Sequence, residues 1–136
     1  NWGFDIDTGA SLTLASVGGA NRGFTVTGAG DMTVTGVIGT GGSGTVTMSG
    51  SGTLTLAGNN TYDGLTTVNS GTLVLNGSNT GAAGGVTVTG GTLDIGHNNA
   101  VGAGTLTLNG GTVAAAGGSR TLANAVSLAA SSTIGR

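Results

Sequence analysis

A single histidine, His97, follows Asp94 by three residues, and Arg120 stands about one repeat unit further on. A carboxylate beside an imidazole can move protons, so this trio is the first place to look for chemistry. The pattern around it argues otherwise. Asp94 is expected to project outward in mid-strand, and His97 falls in the turn that follows, where it reads as a solvated turn histidine. The chain has no cysteine, and none of its serines sits in a nucleophile motif. Asp31 and Asp94 share an outward strand face, but three coils apart, roughly 14 Å, which is too far for a glycosidase carboxylate pair. Asp5 and Asp7 stand alone. Thr27-Gly28-Ala29-Gly30-Asp31 is one imperfect echo of a calcium-binding repeat whose nine-residue period is missing. A phosphate loop needs a helix behind it, and no helical pattern is present. No catalytic, cofactor-binding or metal-binding residue is expected.

Two other residue sets recur at fixed spacing. Asn59, Asn79 and Asn99 are 20 residues apart and can stack as a structural ladder, each side-chain amide bonding the next coil. Thr25, Thr47, Thr67, Thr87 and Thr107, then Ser127, form an outward column, flanked by Thr45 and Thr105 on one side and Thr27 and Thr89 on the other. Aligned hydroxyls and methyls of this kind can order water as ice-binding surfaces do. Threonine also suits a half-exposed strand for its own sake, and stacked threonines stabilise a sheet. Gly23, Leu65 and Gly85 interrupt the flanking file.

The elements that must carry these residues follow from an internal repeat. One apolar column runs Phe4, Phe24, Val46, Thr66, Val86, Leu106, Val126, with a partner at Ile6, Val26, Met48, Val68, Val88, Leu108, Leu128. A second pair runs Leu12, Met32, Leu54, Leu73, Leu93, Val113 and Leu14, Val34, Leu56, Leu75, Ile95, Ala115. The step is 20 residues, lengthened once near Gly36–Gly44 and shortened once by a residue. Each unit holds two short strands with period-two alternation, apolar inward and threonine outward. One unit cannot bury its apolar face alone; stacked units bury a continuous core. The spacing predicts an all-β fold, a right-handed parallel β-helix or solenoid of about seven coils of ~20 residues, near 34 Å tall. Tyr62, Ala82 and Leu122 are spaced to fill its third side. An antiparallel sandwich is the competing fold, but it does not explain a constant register.

Composition narrows the function. The 136 residues include 31 glycines and no proline, with 6% charged and 3% aromatic residues. A missing proline fits strands whose N–H groups must all pair. Low charge and abundant valine and threonine oppose disorder. A net charge of −2 lacks the basic patch that nucleic acid needs. No apolar run reaches membrane-span length, so neither nucleic acid nor membrane insertion by this segment is expected.

Gly58-Asn59-Asn60-Thr61-Tyr62, then Gly64, Thr66, Val68 and Gly71-Thr72-Leu73, resemble the autotransporter-associated β-strand repeat of bacterial type V secretion passengers. Asn99-Ala100-Val101-Gly102-Ala103-Gly104-Thr105-Leu106 and Gly110-Gly111-Thr112-Val113 resemble its continuation, so the likeness covers about residues 52 to 115. Leu65 replaces the small residue more usual there, and the family's C-terminal membrane barrel is not part of this sequence. The resemblance implies a secreted right-handed β-helix at the bacterial outer surface, a non-catalytic stalk of an adhesin-like passenger. On that reading residues 1–136 are a single β-helix segment of a longer passenger. Its partners would be further coils of its own chain, end-to-end copies of itself, or host or surface glycans. An ice-binding solenoid and a self-assembling filament subunit remain the alternatives.

Overall fold

Alternation along each strand buries one side chain in two, and glycine at the corners lets the chain bend sharply enough to bring the next strand round. The computed structural model describes residues 1–135, and in it this alternation winds the chain into a β-solenoid of about seven turns, with no helix among the described residues. The first coil holds β1 (Trp2–Ile6), β2 (Ser11–Leu14) and β3 (Val17–Gly18); the second holds β4 (Phe24–Gly28), β5 (Asp31–Val34) and β6 (Ile38–Gly39). Later coils carry two strands each: β7 (Val46–Met48) and β8 (Thr53–Leu56), β9 (Thr66–Val68) and β10 (Thr72–Leu75), β11 (Val86–Val88) and β12 (Thr92–Ile95). The last are β13 (Leu106–Leu108) and β14 (Thr112–Ala115), then β15 (Val126–Leu128) and β16 (Thr133–Ile134).

Strands stack coil on coil. One seven-stranded sheet runs β1-β4-β7-β9-β11-β13-β15 and the other β2-β5-β8-β10-β12-β14-β16, and every strand pairing among the described residues is parallel. A third face is a true sheet only where β3 pairs with β6; beyond that it continues as an arc. Between the faces lies one core. Leu54, Leu56, Leu73, Leu75 and Leu93 have no exposed surface, and Tyr62, Ala82 and Val101 close the third side with Leu122 packed against it.

The second sheet follows the expected columns: Leu12 over Met32, Met32 over Leu54, Leu73 over Leu93, Leu93 over Val113. The first coil does not. Phe4 lies beside Val26, Trp2 beside Phe24 and Ile6 beside Gly28, so the expected pairing of Phe4 with Phe24 is displaced by two residues. The cause is the corner. Asp7-Thr8-Gly9-Ala10 forms a turn closed by the Ala10 amide on the Asp7 carbonyl at 2.9 Å, whereas the next coil turns on Ala29-Gly30 alone. The Phe4 and Phe24 rings still meet edge to face, 5.6 Å apart at 81°.

Two glycine sets make the stacking possible. Gly71, Gly91 and Gly111 enter the second sheet at φ of 63°, 65° and 69°, which glycine adopts without penalty. Gly58 and Gly77 lie directly over one another. A β-carbon on Gly77 would stand 1.8 Å from the Gly58 carbonyl oxygen, so the backbones there touch only because both side chains are hydrogen.

Candidate functional site

The strand register decides which surface residues stand together. Thr25, Thr47, Thr67, Thr87 and Thr107 are direct neighbours across successive parallel strands, ending on Ser127. Each is half-buried. Gly3, not a threonine, stands beside Thr25 in the first coil because of the shifted register.

Beside this column runs a polar file that spacing alone does not announce. The Asn69 side-chain amide donates to Ser49 Oγ at 3.0 Å, and Thr89 Oγ1 donates to Asn69 Oδ1 at 2.7 Å. Thr27 Oγ1 donates to Asp5 Oδ1 at 3.1 Å. Only its two threonines, Thr27 and Thr89, stand out in the sequence. The second sheet carries another threonine column: Thr53, Thr72, Thr92 and Thr112 in register, continuing to Thr133. In the sequence its first four members each follow a glycine and precede Leu54, Leu73, Leu93 or Val113.

The asparagines form two files. In the buried one, Asn60 Oδ1 accepts the Ile38 amide at 2.8 Å, and Asn79 Oδ1 accepts both the Asn60 amide at 2.9 Å and the Asn60 side-chain amide at 3.1 Å. Asn79 Nδ2 donates in turn to the Ala100 carbonyl. The rung below Asn79 is therefore Asn60 rather than Asn59. Asn59 and Asn99 are exposed and meet through Ser78: Asn59 Oδ1 accepts its amide at 2.8 Å, and Asn99 Nδ2 donates to its hydroxyl at 3.4 Å.

A second buried polar pair fills the third side. The Tyr62 hydroxyl and Thr66 Oγ1 share a hydrogen bond of 2.7 Å, both residues 2% exposed. Burial pushes the Tyr62 phenol up to about 12, partly offset by that bond. Thr66 takes an aliphatic position of the core column, and Tyr62 supplies the partner its hydroxyl needs.

The titratable residues are dispersed. Asp94 lies between the inward Leu93 and Ile95, on the outward side of the strand, yet it is buried. Its neighbour Ala114 is buried too, so the outer face of this sheet is covered there. Asp31 sits three coils from Asp94 and two strand positions off its register, and its Oδ1 accepts the Thr53 amide at 2.8 Å, replacing a ladder bond at the strand edge. His97 Nδ1 accepts the Asn99 amide at 3.0 Å. Arg120 donates to the carbonyls of Ser119 and Ala116 at 3.0 and 2.7 Å. Among the described residues, no group of three or more His, Cys, Asp or Glu side chains is placed to hold a metal ion.

What the arrangement offers is a rod with long uncharged faces. The Passenger-associated-transport-repeat family model matches residues 46–75 and 70–95. The matches cover the Gly58–Leu73 motif and the following coil; the likeness read at Asn99–Val113 lies beyond them. No curated protein and no solved structure matches the chain.

Proposed function

From a chain that carries autotransporter passenger repeats within a β-solenoid, we propose a non-catalytic scaffold segment of a secreted, surface-displayed passenger. Its work is spatial: each coil adds about 4.8 Å of length, and a continuous core keeps the added length stiff. The observation that carries this reading is the unbroken parallel register of both seven-stranded sheets, closed over one apolar core. A rod made of repeated units should tolerate loss of a whole unit but not of half. Removing residues 66–85 from the intact passenger should leave an N-terminal epitope labelled on unpermeabilised cells. Removing residues 66–75, which leaves half a coil, should abolish that signal. Loss of display in both deletions would contradict the reading.

Two features support additional roles. Trp2 at one end of the stack and Leu128 and Ile134 at the other are 70%, 70% and 73% exposed, and further coils or end-to-end copies would cover them. End-to-end copies would give fibres at micromolar concentration, suppressed by Thr133→Lys on the β16 edge. The registered threonines of the first sheet support ice binding. That role predicts thermal hysteresis lost in a Thr67→Tyr, Thr87→Tyr variant, and absence of hysteresis in the parent chain eliminates it.

A further inference from the structure

Between two successive coils, Gly96, His97, Asn98, Asn99 and Arg120 line an open cleft of about 470 Å³. Its chemistry is weighted toward donors. The acceptor on each of two side chains is already used: His97 Nδ1 takes the Asn99 amide, and Asn98 Oδ1 takes the Thr121 amide at 3.2 Å. With Nδ1 accepting, the proton of the neutral imidazole resides on Nε2. The groups left over are mostly donors, the His97 Nε2–H, the Asn98 side-chain amide and the remaining guanidinium protons of Arg120, with the Asn99 side-chain oxygen as an acceptor beside them.

Arg120 is held rather than free. Its two terminal nitrogens bond the carbonyls of Ser119 and Ala116, and Gly117 and Gly118 pass close over them, leaving no side chain between loop and guanidinium. Its Nε is buried without an acceptor. No acidic residue lines the cleft. A fixed cation among spare donors, on a chain with only three basic residues, is arranged to receive an anion.

We propose that this cleft binds a carboxylate-bearing monosaccharide such as a hexuronate. The carboxylate takes the guanidinium and the His97 Nε2–H, and the ring hydroxyls take the Asn98 and Asn99 amides. The volume exceeds what a bare carboxylate needs and lies within the range of small-ligand sites. The site does not rest on the scaffold reading, and losing either leaves the other standing.

The test is a titration of the isotopically labelled chain, followed by backbone amide shifts, with sodium glucuronate, glucose and inorganic phosphate in parallel. Glucuronate is expected to give saturable shifts confined to residues 96–99 and 116–121, with glucose giving none. Arg120→Gln removes the charge but also loosens the 116–119 loop. Asn98→Asp is the cleaner variant, because it keeps the oxygen that accepts the Thr121 amide while placing a negative charge in the cleft. Each should weaken glucuronate at least about tenfold, Arg120→Gln by the loss of a charge-assisted hydrogen bond and Asn98→Asp by repulsion of the carboxylate, and Asn98→Asp should leave the melting temperature unchanged. The proposal is overturned by equal shifts with glucose, by phosphate binding as tightly as glucuronate, by glucuronate shifts elsewhere, or by undiminished binding to Asn98→Asp.

Discussion

Asn79 holds three partners at once: the Asn60 amide, the Asn60 side chain and the Ala100 carbonyl. Removing it strands a buried backbone N–H and a buried carbonyl, each costing about 1–3 kcal/mol. Asn79→Ala should therefore lower unfolding free energy in urea by at least about 2 kcal/mol. Asn59→Ala, at an exposed position where water replaces the lost bond, should cost about 0.5 kcal/mol or less. Equal costs would mean that the buried file does not organise the bend. The 20-residue spacing of Asn59, Asn79 and Asn99 pointed to the right bend and the wrong rung. The offset across this stretch is 19 residues, because the corner Asn69–Gly71 is one residue shorter than Ser49–Gly52. The count returns to 20 only past Thr80, where Gly81 lies over Thr61. The shortened step shows in the sequence between Leu54 and Leu73, but Asn59, Asn79 and Asn99 recur at the average period and so hide which rung it selects.

Tyr62 provides a second test at this scale. It is the only tyrosine, there is no cysteine, and the three basic residues Arg22, Arg120 and Arg136 leave no lysine, so the alkaline range reports it almost alone. Its folded value is raised to about 12 by burial, above the roughly 10 of an exposed phenol. The unfolded chain thus releases its proton first as pH rises. The stabilisation is complete below pH 10 and declines between about 10 and 12. Tyr62→Phe should flatten that decline while itself costing about 1–3 kcal/mol at neutral pH, because Thr66 loses its partner. Phenolate absorbance in the native chain should show its midpoint near 12, and a midpoint near 10 would place Tyr62 in solvent.

At the scale of the element, coil stacking is limited by backbone contact at the corners and bends. Gly77 has its missing β-carbon 1.8 Å from the Gly58 oxygen, whereas at Gly42 the nearest atom is 3.7 Å away at the end of the Asn21 side chain. Gly77→Ala should force two coils apart and cost more than about 2 kcal/mol. Gly42→Ala should be neutral or slightly stabilising through the unfolded chain. Thermal melts of the two variants decide it, and a neutral Gly77→Ala would show that adjacent coils are not in contact there. Most of this level was legible in the sequence. The second-sheet columns from Leu12 to Val113 follow directly, because the alternation fixes each inward pair even where the step lengthens or shortens. The shifted first coil was not legible, since Phe4 and Phe24 are both aromatic and exactly the average period apart, and only the four-residue corner Asp7–Ala10 displaces them. The burial of Asp94 was not legible either: alternation says which way a side chain points, not what covers it.

For the whole molecule, the repeat gave the architecture, and the family match at residues 46–95 gives its context. The surfaces were harder to read. The Thr25–Thr107 column is visible as spacing, but the Ser49–Asn69–Thr89 file combines three residue types that no periodicity of type would gather. The donor-rich cleft at His97 and Arg120 draws on two coils and depends on which acceptors are already spent. If the molecule is a rod whose function is length, its coils are interchangeable units. The direct measurement is to insert four further copies of residues 86–105 before Leu106 and to compare parent and extended chains by small-angle scattering and circular dichroism. The scaffold account predicts a folded chain whose longest dimension grows by about 19 Å, four strand spacings, at constant cross-section and unchanged ellipticity per residue. An extended chain that unfolds, or that thickens instead of lengthening, would contradict it.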